Sequence, residues 1–332
     1  MKKKRNIPKA HHYVPQTYLR KFAEQKGKAF YVHFLKHDEQ DESKIHRTNT
    51  KNICQKKHLY KLNTDSIDPL VIEKFFSKNI EANYNEVFSI LTSNSLKFLT
   101  PEYKTKIIEY VVIQLYRSPK WKDGYTNHMK RCLSASYKLC KQKNQDSFYL
   151  EGKKILLEGK TLGELQKEWC INSKNEILFA QLKVASDLIS LRLKTDNAVI
   201  TVIEDDKEFV TSDNPVVYHS SDPISMPFDP RNILEMPLSP KHLLRLFPNS
   251  YSQGHDLILR EKCSEDKADI ARLNSNHMQL CSSENFLIGT KTGLQQYLKA
   301  EEVKRYLTEE EYNGISSDEE FLKVLKSKGS IS

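Results

Sequence analysis

The chain is predicted to be an α+β protein: a small α/β element at the N-terminus, a helical middle and a β-rich C-terminal part. Three observations lead there. Before residue 63, a short helical pattern is followed by runs rich in aromatic and β-branched residues. From about 68 to 195 the apolar residues recur at helical spacing, and from Ala198 they recur at strand spacing. Residues 1–10 read as a disordered basic arm, 11–300 as one domain (helical middle about 68–195, β-rich part about 196–291) and 301–332 as an acidic tail.

The elements follow in order. Pro15 suits a first helical turn, where its missing N–H is not needed, and Tyr18, Leu19 and Phe22 continue a short helix over 14–23. His11 and His12 then sit at or just before a helix N-terminus. Ala29 to Leu35 is aromatic and β-branched and predicts a strand. A polar loop or hairpin runs to about Asn49, Asn52-Ile53-Cys54 forms a turn, and His58 to Leu62 forms another strand. Asp68-Pro69 starts a helix with Leu70, Phe75, Ile80, Tyr84, Val87 and Leu91 on its apolar stripe. Thr100-Pro101 starts the next by the same device, burying Ile107, Ile108, Val111, Val112 and Leu115, and it stops at Arg117-Ser118-Pro119. Residues 120–145 are helical and basic, and 160–195 hold two further helices. Ala198 to Ile203 is a strand; Phe209-Val210-Thr211 and Val216-Val217-Tyr218 flank a tight Ser212-Asp213-Asn214-Pro215 turn; Glu235 to Pro240 and Leu243 to Phe247 are strands. Helix resumes from Ser264 to His277, with Asn274 and Asn276 marking its end, and Glu284 to Lys291 is a last strand.

The net charge is +9 over 332 residues, and it is unevenly spread. Lys2, Lys3, Lys4, Arg5 and Lys9 form a basic arm, and Lys120, Lys122, Lys130, Arg131, Lys138, Lys141 and Lys143 form a second cluster. A basic body suits a polyanion such as nucleic acid; a solvated lysine-rich surface explains it as well. The six cysteines form no C-x-x-C pair and, with no signal peptide, read as reduced thiols of a cytoplasmic protein. No apolar run reaches the length of a membrane span.

The opening His11-His12-Tyr13-Val14-Pro15-Gln16, with Tyr18-Leu19-Arg20 and Phe22, resembles the bacterial domain of unknown function 4238 family. Tyr116-Arg117-Ser118-Pro119, Phe209-Val210-Thr211-Ser212-Asp213-Asn214-Pro215-Val216 and Pro237-Leu238-Ser239-Pro240 are similar to later signatures of that family, so the resemblance spans roughly residues 10 to 290. It implies a candidate site and a bacterial context, and no reaction.

His11, His12, Asp213 and Gln16 are the candidate catalytic residues. Histidines at a helix start, together with a carboxylate projected from a strand end, suit a divalent ion such as Mg or Mn, which polarises a phosphodiester and activates water. His12, Asp213 and Glu81 are the candidate ligands. An Asx-type turn explains Asp213 without catalysis. Glu73 and Glu81 lie eight residues apart on roughly one helical face and read as solvated, although Glu81 follows apolar Ile80. Arg20 and Arg117 are candidate phosphate binders; Arg117 equally suits helix-terminal carbonyls, and Arg20 a surface ion pair. Arg272 to His277 and Asp205-Asp206-Lys207 echo nuclease strings by chance.

P-loop, dinucleotide-binding, G-x-S-x-G and H-E-x-x-H motifs are absent from the sequence. The reading that remains is a metal-dependent nuclease or related phosphodiester hydrolase, in the setting of a bacterial toxin or phage-defence effector. The alternatives are a metal-free enzyme acting on a nucleotide or nucleotide cofactor, and a non-enzymatic binding module.

Overall fold

Helices begin where the sequence caps them. In the computed structural model, which describes residues 10–64, 66–220, 225–226, 228–248, 256–306 and 317–327, the hydroxyl of Thr100 accepts from the Tyr103 N–H at 3.2 Å and Pro101 is the first residue of its helix. Thr161 and Glu164 form a reciprocal capping box at the start of another. The helices are α1 Gln16–Leu19, α2 Val71–Phe75, α3 Tyr84–Thr92, α4 Pro101–Arg117, α5 Pro119–Gln142, α6 Leu162–Asn172, α7 Lys174–Thr195, α8 Glu265–Ser282, α9 Lys291–Tyr306 and α10 Asp318–Ser327. Alpha and beta segments mix as expected, with the helical middle followed by a β-rich region.

The short strands are β1 Ala10–His12, β2 Glu24–Lys26, β3 Ala29–Lys36, β4 His46–Asn49, β5 Gln55–Lys57, β6 Ser147–Leu150 and β7 Lys153–Leu156. They are followed by β8 Asp196–Ile203, β9 Thr211–Ser212, β10 Val217–His219, β11 Ile233–Ser239, β12 His242–Pro248, β13 Ile258–Cys263 and β14 Phe286–Gly289. One sheet runs β10-β11-β12-β8-β13, antiparallel except for the β8–β13 pair. A second runs β2-β3-β14-β9, with β4 also on β3. β1–β5 and β6–β7 are separate ribbons.

Helix α4 is the centre of the core. Ile107, Ile108, Val111, Val112 and Leu115 are buried on it as the spacing predicts, joined by Tyr18, Leu19, Tyr84 and strand residues such as Ile200 and Met236. Its closest helical neighbour is α7.

Several expectations change. The histidines are on the ribbon strand β1, with His11 opposite Lys56 and His12 opposite Gln55, and Pro15 is the extended residue before α1. The strand read at 58–62 is β5, three residues earlier, bracketed by left-handed residues Cys54 and His58 at φ 56° and 54°. The second helix starts at Val71, and a π-helical turn over Phe76–Glu81 rephases it. Ile72 and Phe76 are therefore buried and Phe75 is exposed. Ser212 to Pro215 is no hairpin turn; it carries the chain from one sheet to the other, β9 pairing with β14 and β10 with β11. Helix α8 runs through Asn274 and Asn276, because the Asn276 amide bonds sideways to the Val210 N–H and Glu208 carbonyl. Part of the segment read as a tail is helical: α10 packs Leu322 against Leu273 and Ala300. Of the basic arm, residues 1–9 lie outside the described residues.

Candidate functional site

The sequence signatures meet in three dimensions. Tyr18 is fully buried; its hydroxyl donates to the Pro237 carbonyl and accepts from the Thr211 hydroxyl, both at 2.6 Å. Gln114 donates to the Tyr13 carbonyl at 2.9 Å. The Nη2 of Arg117 donates both its protons, to the His12 carbonyl at 2.5 Å and to the Glu81 carboxylate at 2.8 Å. The opening motif is thus held by all three of the later ones.

Around the histidines a polar cluster is closed into the fold. His11 is buried and its Nδ1 accepts the Tyr60 N–H at 3.1 Å, so in the neutral ring the proton is on Nε2. Glu73, from α2, brings Oε2 within 3.5 Å of that same Nδ1. That lone pair is already taken by the Tyr60 N–H, so an uncharged carboxyl is better tolerated beside it than a carboxylate. Burial pushes the Glu73 carboxyl up to about 7; the Arg117 guanidinium opposes that shift and the Glu81 carboxylate reinforces it. Glu73 Oε2 has no hydrogen-bond partner among the described residues.

His12 is half-buried. Its Nε2 lies 3.2 Å from the Lys51 carbonyl, which can only accept, so Nε2 carries the proton and Nδ1 the lone pair. Burial lowers its basicity, the Lys51 carbonyl and Glu81 carboxylate work against this, and Arg117 adds to it. The imidazole is thereby kept neutral near pH 7.

Arg117 itself is sealed. Its guanidinium stands over the Phe76 ring at 4.7 Å, and a crevice of about 10 Å³ beside it has room for at most one water. No phosphate reaches it in this arrangement; it orients Glu81 and the β1 backbone. Arg20 is exposed and stacks on Phe30 at 4.9 Å, and Gln16 is half-buried in the first turn of α1.

Asp213 faces elsewhere. Its oxygens accept from the Glu284 N–H, the Asn285 N–H and the Asn285 side-chain amide at 2.8 to 2.9 Å, fixing the turn before β14. Its charge is felt by Tyr13 and Cys54 and is not among the influences on His12. The opening motif is therefore split: the histidines look toward Glu73, Glu81 and Arg117, and Tyr13 looks toward Asp213. The candidate ligand set His12, Asp213 and Glu81 does not come together, and no three His, Cys, Asp or Glu side chains gather to hold an ion among the described residues. Asp205 pairs with Lys207 and accepts the Glu265 N–H, while Arg272 is buried in a pair with Asp269, so both nuclease-like strings serve the fold.

Glu73 and Tyr60 are the members of the cluster that the sequence pattern did not mark as functional. The signal for Glu73 was its eight-residue spacing from Glu81; the π turn between them turns both carboxylates toward the histidines.

The chain matches the family model described as a protein of unknown function (DUF4238) over residues 10–292, and it belongs to that family. No curated protein and no solved structure matches it. Among the described residues no helix is long and apolar enough to cross a membrane.

Proposed function

We propose that this member of the family hydrolyses a phosphate ester of a nucleotide by metal-independent acid–base chemistry. The observation that carries the reading is the His12 imidazole, held neutral by burial with its Nε2 on the Lys51 carbonyl, beside the same Arg117 and Glu81 charges that act on a Glu73 carboxyl keeping its proton up to about pH 7. A base that is neutral and an acid that still holds its proton are what proton transfer at neutral pH needs. His12 takes a proton from water as its oxygen attacks phosphorus. The bond to the leaving oxygen breaks, its electron pair stays on that oxygen, and Glu73 supplies the proton.

The surroundings favour an anionic substrate. Lys174 donates to the His58 carbonyl at 3.1 Å, and the His58 ring lies 6.3 Å from that of His11. Burial, then the nearby Lys122 and Lys61, lowers the Lys174 amine, so three cations border this side of the cluster. The six free cysteines suit a cytoplasmic setting.

The test is phosphate or alcohol release from mononucleotides, RNA and DNA in excess EDTA. Wild type is expected to act on a nucleotide, with the rate falling by about 10²–10⁴ in His12→Ala. No release, equal release by the variant, or release only with added magnesium or manganese would overturn the proposal; the last result restores the metal-dependent nuclease.

A further inference from the structure

On the other side of the Arg117–Ser118 step lies a groove of about 740 Å³, between the start of α5, strand β10 and the end of α8. That volume falls in the range of small-molecule sites. Its lining is largely apolar and rich in rings: Trp121, Tyr125, Tyr218 and Phe228 all face it. Trp121 is set by an edge-on contact with Tyr116 at 4.8 Å, so one wall is fixed before a ligand arrives. Tyr218 and Phe228 are exposed, with Phe228 leaving half its surface to solvent.

Among the polar groups of the lining, which include Ser118, His128 and Ser282, two matter most for a ligand. Asn214 stands on the inner wall and is 6% exposed. Its amide nitrogen donates to the Ser282 carbonyl and hydroxyl, which fixes the amide, and its Oδ1 has no hydrogen-bond partner among the described residues. A buried acceptor without a donor is costly, and an N–H on a ligand is the partner it lacks. Lys120 is the one permanently charged side chain of the lining.

We infer that this groove binds the base of an adenine nucleotide: the flat ring between the aromatic side chains, the exocyclic amine toward Asn214 Oδ1, and the phosphate toward Lys120. The choice of ring rests on the nucleotide reading above, and binding is measured apart from hydrolysis so that each can fail alone. The unpartnered acceptor and the lysine separate this ligand from an aliphatic chain, which needs neither.

The experiment is titration calorimetry on the full chain with AMP, adenosine, purine riboside 5′-monophosphate and decanoate. Gly124 offers a clean block, since a Cβ added there meets nothing within 4 Å, yet the residue lines the groove. AMP is expected to bind wild type, at least tenfold more weakly to Gly124→Trp, with the unfolding midpoint unchanged. Loss of the amine in the purine analogue is expected to weaken binding at least fivefold. Lys120→Gln should weaken AMP and leave adenosine alone. No binding of AMP at millimolar concentration, equal binding by Gly124→Trp, indifference to the amine, or displacement of AMP by decanoate would overturn the inference. AMP binding without any hydrolysis would leave it standing and remove the proposed reaction instead.

Discussion

Two buried polar groups of this molecule look alike in sequence and differ in the fold. Asp213 gives its carboxylate to three donors, two of them backbone amides, and its work is complete. The histidine cluster is not complete: Glu73 Oε2 and the Nε and Nη1 of Arg117 have no partners among the described residues. Buried polar atoms are almost always satisfied in folded proteins, so a satisfied carboxylate reads as structure and a group of unsatisfied atoms reads as a place for chemistry. The difference sets a completed turn apart from a cluster with unmet polar atoms, where residue type alone did not.

The sharpest way to break that comparison is to remove Arg117. Arg117→Met strands the partly buried Glu81 and is expected to lower stability by about 3–5 kcal/mol, measured by urea unfolding, with much of the loss recovered when Glu81→Leu is added. If the single variant is as stable as wild type, the pair does not organise the cluster. Asp213→Asn comes next, at about 2–3 kcal/mol, because an amide nitrogen then faces backbone donors. Its expected effect is on stability alone; a folded variant with a changed pH–rate profile would move Asp213 into the site.

Glu73 sharpens the contrast through pH. Its folded pKa, about 7, lies above the ordinary glutamate value, so the native state holds the proton more tightly than the unfolded chain. The favourable contribution is fully present below the unfolded pKa near 4.3 and is lost as pH rises through 7. Glu73→Gln should therefore match wild type near pH 4 and exceed it above pH 8 by roughly 3–4 kcal/mol. An equal pH dependence in both proteins would place the carboxyl in water. The smallest effect is expected at Tyr18, where Phe leaves the Thr211 hydroxyl and Pro237 carbonyl to find other partners, at about 1–2 kcal/mol.

Much of the architecture was legible because it is local. Thr100-Pro101 announces a helix start, the stripe from Ile107 to Leu115 announces the buried face of α4, and the β-branched run after Ala198 announces β8. What was hidden depends on distant partners. Strand β13 reads Leu259-Arg260-Glu261-Lys262, too charged to signal a strand; it forms because β8 offers a parallel edge and because Arg260 binds the Ile90, Leu91 and Leu96 carbonyls near the end of α3. Asn276 of α8 looks like a helix end until the segment before β9 supplies its partners, the Val210 N–H and the Glu208 carbonyl. In the same way the histidine pair was visible, whereas its companions Glu73 and Tyr60 come into place through a π turn and a two-stranded ribbon that no periodicity announces.

The most direct measurement is the rate of nucleotide hydrolysis in EDTA for wild type, His12→Ala and Asp213→Asn, each at a temperature where it is folded. The account predicts that His12→Ala falls by two orders of magnitude or more while Asp213→Asn stays within a few-fold of wild type. Retained activity in His12→Ala, or its loss in a folded Asp213→Asn protein, would contradict it.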